Sequence, residues 1–145
     1  MIDRRETVEP RMHQIGEVAD VVGLSLRTIR YYEEAELVLP SGRSSGGFRL
    51  YTELDIERLR LVKHMKSLDF SIEEMRDLMH VRDRLADPAT QSLDREALGA
   101  RLSMFAMLAD ERCEMLRQQL AAAYRVSATL RHEARATVPS DREPR

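Results

Sequence analysis

Residues 94–136 are rich in Ala, Leu, Arg, Gln and Glu and contain no proline. No other stretch narrows the choice of fold so far. Most of these residue types favour helix. Leu98, Leu102, Phe105, Ala109, Leu116, Ala123 and Leu130 recur along the stretch near 3-and-4 spacing. A helix of about 40 residues is roughly 60 Å long, further than a lobe of about 65 residues can cover. The apolar stripe therefore needs a partner, most simply the same helix of a second chain. Those residues are the expected seam of a homodimeric coiled coil. A helix folded back into a monomeric bundle is the competing arrangement, and Asp87-Pro88 offers a place for the fold.

The remaining chain divides by pattern. Residues 1–12 are polar, contain Pro10 and read as a loose arm. Residues 13–80 hold dense, short periodic segments, and residues 81–93 interrupt them as a connector. The tail, 137–145, carries Pro139 and Pro144 and is expected to fray. With 43% hydrophobic and only 5% aromatic residues, the composition suits a mainly α fold. One cysteine, Cys113, rules out an intrachain disulfide framework, a cluster held by Cys alone and a zinc knuckle. No apolar run approaches the roughly 20 residues of a membrane helix, and the charged first stretch is unlike a signal peptide. The expected location is the cytoplasm.

Inside the second zone, Ile15, Val18, Ala19 and Val22 recur at helical spacing and Gly23 stops the helix. Ser25 suits the N-cap of a second helix, with Leu26 and Ile29 inward. Two short helices joined by a tight Gly-containing turn make a helix-turn-helix. The runs Leu37–Pro40 and Phe48–Tyr51 flank a Gly/Ser-rich loop and predict a small hairpin, a wing. Thr52 with Asp55, and Ser71 with Glu74, fit capping boxes that open two further helices.

A net charge of −2 argues for no polyanionic partner on its own, so the placement of cations matters more than their number. The second helix carries Arg27, Thr28, Arg30, Tyr31 and Tyr32, the wing adds Arg43 and Arg49, and Lys63 and Lys66 add charge on a third element. Arginine pairs with guanine edges or clamps phosphates, and tyrosine hydroxyls donate to phosphate oxygens. Glu33, Glu34 and Glu36 are expected to face away from such a partner. The bland alternative is a solvated Arg-Tyr-Tyr-Glu face with one ring in the core.

The ordered set Ile15-Gly-Glu-Val-Ala19, Arg27-Thr-Ile-Arg-Tyr-Tyr-Glu-Glu34, Leu37, Pro40, Arg43 and Gly47-Phe-Arg-Leu-Tyr51 resembles the MerR family of bacterial transcription regulators. The likeness continues through Asp55, Leu59 and Asp69–Glu74, spanning about residues 14–80. It departs at Glu36, where the family usually has Gly, and at Phe48, where it usually has Tyr. The resemblance implies a winged helix-turn-helix dimer joined by an antiparallel coiled coil. It implies binding to a pseudo-palindromic promoter element whose spacer is bent and untwisted for RNA polymerase. Arg27, Arg30, Tyr32, Arg43, Phe48, Arg49 and Lys66 match family DNA-contact positions. Lys63 is added from charge alone. A protein-interaction module, docking onto another regulator or a polymerase subunit without an operator of its own, is the alternative.

Sensing is harder to place. Family metal sensors use Cys ligands near the end of the dimer helix, where this chain offers His132 and no Cys. Metal sensing is therefore not expected, and Cys113 reads as a small apolar filler, with a redox switch as the alternative. No cofactor is evident. Arg82, Arg84, Arg95 and Arg101 are candidate holders of an anionic effector, or else ordinary solvated charges. No phosphate loop or nucleophile–base pattern occurs, so no catalytic residue is assigned and an enzyme is not expected.

Overall fold

The computed structural model describes residues 9–138. The arm expected over 1–12 and the tail expected over 137–145 lie largely outside these residues. The chain begins with β1 (His13–Gln14), α1 (Ile15–Val22) and α2 (Leu26–Glu34), followed by β2 (Gly42–Arg43) and β3 (Arg49–Tyr51). Three helices complete it: α3 (Glu53–Ser67), α4 (Ile72–Ala86) and α5 (Ser92–Thr137). It is a winged helix-turn-helix followed by a long helix.

The wing differs from the expected hairpin. Leu37 and Val38 are each 1% exposed and form no strand. That apolar run is core filling, which alternation alone cannot tell from a strand. The sheet runs β1-β3-β2, all antiparallel, with His13 opposite Tyr51 and Arg43 opposite Arg49. The two-residue β1, unforeseen in the sequence, ties the start of α1 to the wing.

Helix starts follow the sequence closely. Ser25 Oγ accepts from Thr28 N at 3.0 Å. The Thr52–Asp55 capping box is complete, and Ser71 Oγ accepts from Glu74 N at 3.1 Å. Helix ends follow one common device. Gly23, Glu36 and Asp69 each adopt left-handed backbone, with φ of 73°, 58° and 56°. Behind each, the next residue's N–H reaches back past the helix end: Leu24 to Ala19 O, Leu37 to Tyr32 O and Phe70 to Met65 O. These bonds satisfy carbonyls that a helix terminus would otherwise leave open. Cations from later elements complete two of these ends. Lys63 Nζ donates to Val22 O at 2.8 Å, and Arg76 donates to Ala35 O through both Nε and Nη2.

The core of the lobe, described over residues 9–103, gathers Val18, Ile29, Tyr32, Tyr51, Leu59 and Val62, each 1% exposed or less. Full burial of such side chains is worth about 1.5–3 kcal/mol each. Leu26, expected inward, is 40% exposed, and Tyr32 takes that place. The connector expected over 81–93 is narrower. Helix α4 continues to Ala86 with Val81 fully buried, leaving residues 87–91 irregular. Asp87 Oδ1 accepts from Ala89 N at 2.9 Å, and Thr90 Oγ1 donates to Arg84 O at 2.6 Å. Helix α5 is 46 residues long, and from Met104 onward it forms a separate compact unit.

Candidate nucleic-acid interface

Helix α2 is nine residues long, so its two faces are set by very few side chains. Ile29 and Tyr32 anchor it in the core, which turns Arg27, Arg30, Tyr31 and Glu34 outward. Those four line an open depression of ≈ 490 Å³. Tyr31 is 48% exposed, and its ring centroid lies 5.9 Å from that of Tyr32. One tyrosine thus braces the other. Tyr32, expected at the contact face, is a core residue, and burial pushes its phenol pKa up. Thr28 is committed locally: its hydroxyl meets Ser25 Oγ at 2.8 Å within the N-cap.

The wing turns tightly through residues 44–47. Ser44 N donates to Phe48 O and Gly47 N to Ser44 O, both at 2.9 Å, with Gly47 at φ 80°. Only glycine reaches that backbone region cheaply. Phe48 stands out at 63% exposure on the flank of the turn. Arg43 Nη1 donates to Gly47 O at 2.9 Å. Both wing arginines also meet one acid of α2. Arg49 Nε donates to Glu33 Oε2, and Arg43 Nη2 lies 3.5 Å from Glu33 Oε1. Hydrogen bonding to Glu33 raises the Arg49 pKa further. Glu33 was expected to face away from this surface. It faces the wing instead, and nothing in its local sequence marks a pairing across 16 residues.

The two lysines part company. Lys66 is exposed on α3, whereas Lys63 is half-buried and spends its ammonium on Val22 O. Lys63 caps α1, a role that charge alone does not announce. The candidate interface therefore comprises Arg27, Arg30 and Tyr31 on α2, Arg43, Phe48 and Arg49 on the wing, and Lys66 on α3.

Three of the four arginines expected to hold an effector have partners within the lobe. Arg95 donates to Leu85 O, Asp87 O and Thr90 O, organising the 87–91 turn. Arg84 pairs with Asp94 at 3.5 Å, and Arg101 pairs with Asp77. Arg82 is exposed. Arg95 is an internal fastener, while Arg82, Arg84 and Arg101 stay at the surface.

Along α5 the expected seam divides. Leu98 is 8% exposed and packs within its own lobe. Phe105 and Ala109 are half-buried. Leu102, Leu116, Ala123 and Leu130 are exposed, and Leu120, four residues after Leu116, extends the stripe at 53% exposure. Leu120 was missed although its spacing announced it.

The MerR HTH family regulatory protein pattern matches residues 14–81. The pattern described as MerR, DNA binding matches residues 56–132, more than half of the chain. The chain belongs to the MerR family. Within it, the Escherichia coli K12 HTH-type transcriptional regulator ZntR is 44% identical over 71 residues, covering 49% of this chain and 50% of that protein. The chain spans about half the length of the curated relatives it matches. Among solved structures, HiNmlR, a MerR family regulator lacking the sensor domain and bound to promoter DNA, aligns with a TM-score of 0.60 at 21% identity. That match covers 86% of this chain and 88% of HiNmlR and supports the fold. PbrR691 from Ralstonia metallidurans CH34, solved with lead(II), has a TM-score of 0.50 at 31% identity, covering 83% and 86% of the two chains. The relatives are transcriptional regulators rather than enzymes.

The lead complex belongs to PbrR691. Soft metals want several thiolates. This MerR chain offers one, Cys113, half-buried in the middle of α5. Among the described residues no three His, Cys, Asp or Glu side chains gather as ligands. A thiolate site using Cys113 would need its further sulfurs from outside this chain.

Proposed function

We infer that this MerR-family protein is a sequence-specific DNA-binding regulator of transcription, acting as a homodimer in the cytoplasm. The observation that carries the reading is the outward face of α2. There Arg27, Arg30 and Tyr31 line one depression together with Glu34, an acid expected to face away, while Ile29 and Tyr32 lock the helix from behind. A nine-residue helix so mounted suits a major groove, with its arginines at base edges. The wing and Lys66 supply cations for the flanking backbone.

A single lobe reads one half-site. The exposed stripe Leu102, Leu116, Leu120, Ala123 and Leu130 supports pairing of α5 with its copy, as an antiparallel coiled coil. Two tethered lobes fit a pseudo-palindromic promoter element. Bending and untwisting its spacer costs about 1–6 kcal/mol by elastic estimates, repaid by contacts on both flanks. RNA polymerase would then use the reshaped spacer.

The test is direct. Wild-type chain should bind a duplex selected from a randomised pool with an affinity that falls steeply as salt rises. Arg30→Ala should weaken that binding at least tenfold, while sedimentation still reports a dimer. Binding indifferent to salt and to Arg30→Ala would instead fit an interaction module that uses the lobe to dock on protein.

A further inference from the structure

Arg43 and Arg49 are directly opposed partners across β2 and β3. Like charges in that register repel. Glu33 answers both from α2: its Oε2 accepts from Arg49 Nε and its Oε1 lies 3.5 Å from Arg43 Nη2. The carboxylate side chain is only 18% exposed, which limits water's share in screening it. One anion with two oxygens divided between two guanidinium groups is the arrangement a DNA phosphate would otherwise complete.

We propose that Glu33 is a positioning residue that sets DNA specificity by acting as a built-in substitute for phosphate. It holds the wing to α2 and keeps Arg43 and Arg49 occupied until a backbone phosphate displaces it. The proposal rests on the DNA-binding reading above. Its physical content is a competition. The trio of side chains carries one net positive charge rather than two. A duplex offering only backbone charge must pull the arginines from a partner already in place. A duplex that also seats Arg27 and Arg30 at base edges has further binding energy to drive that exchange. Glu33 therefore lowers affinity for arbitrary DNA more than affinity for the chosen site.

The decisive variant is Glu33→Gln, which keeps the shape and removes the charge. Binding of the 145-residue chain to a duplex of random sequence, about 30 base pairs long, is followed by fluorescence anisotropy over a salt series. Affinity for random duplex should rise about tenfold at low salt. The slope of log affinity against log salt should steepen by about 0.9 for each lobe engaged, one extra net charge per lobe. The ratio of selected-duplex to random-duplex affinity should fall. The double variant Glu33→Gln with Arg43→Gln restores the net charge and should return the slope to the wild-type value. It also relieves the like-charge register, so it tests the count if the single variant melts early.

An unchanged slope in Glu33→Gln overturns the proposal, as does weaker binding to random duplex, which would make Glu33 a simple brace. A steepened slope that the double variant leaves steep overturns it too. If the wild-type chain itself shows no salt-dependent, Arg30-sensitive binding, the DNA-binding reading fails instead, and the two failures are told apart.

Discussion

Glu36 offers a clean measurement of backbone strain. It holds φ at 58° one residue beyond the α2 C-cap, while its N–H donates to Glu33 O at 2.9 Å. Its side chain is exposed and makes no hydrogen bond among the described residues. Left-handed backbone costs an ordinary L-residue about 1–2 kcal/mol. Glycine escapes that cost but forfeits about 0.5–1 kcal/mol through its greater freedom in the unfolded chain. Glu36→Gly should therefore stabilise the fold by about 0.5–1 kcal/mol, or raise Tm by about 1–4 °C in a chain of this length. Glu36→Ala keeps the Cβ and should stay within about 0.5 kcal/mol of wild type. Asp69→Gly should gain less than Glu36→Gly, because aspartate tolerates the left-handed region better. Calorimetry at one fixed protein concentration reads all three, since the melting of an associating chain depends on concentration. The reasoning fails if Glu36→Gly melts at or below wild type, or if Glu36→Ala matches its gain.

Two further outcomes follow from side chains whose roles the fold reassigns. Lys63→Met should cost about 1–3 kcal/mol by stranding the Val22 carbonyl, with affinity for duplex DNA within twofold of wild type. A large loss of DNA affinity at unchanged stability would return Lys63 to the interface. His13 is buried between two acids, with Nδ1 2.8 Å from Glu17 Oε1 and Nε2 2.5 Å from Glu53 Oε1. Hydrogen bonds to Glu17 and Glu53 raise its pKa above the ordinary 6.5. A raised folded-state value places the stabilisation fully below pH 6.5 and drains it as pH climbs through that value. Urea midpoints should thus decline over that window in wild type and lose this decline in His13→Gln; parallel profiles would refute the assignment.

How far the sequence was legible depended on the range of each signal. Caps are local: Ser25, Thr52 and Ser71 start helices where their spacing said they would. The phase of α2 was read one residue type astray. In nine residues the difference between Leu26 inward and Tyr32 inward is settled by which side chain the core takes, Tyr32 at 1% exposure against Leu26 at 40%, rather than by periodicity. The run Leu37–Pro40 reads as strand because the buried pair Leu37 and Val38, in a loop, looks in composition like a strand. Charge was least transparent. Lys63, Arg95 and Arg101 cap carbonyls or pair with acids that folding alone brings near. Glu33, the acid most intimately tied to the candidate interface, reads as an ordinary last-turn glutamate. The outward arginines Arg27 and Arg30 were legible, because the inward Ile29 between them fixed their direction.

The groups that seal α1 and α2 arrive late. Lys63 and Arg76 each lie 41 residues beyond the carbonyl they satisfy. A ribosome must deliver most of the lobe before α2 is sealed at its trailing end. A fragment cut after the wing would leave both carbonyls to solvent. Anyone transplanting α1 and α2 onto a foreign scaffold must carry an ammonium and a guanidinium along, or accept a loosened graft.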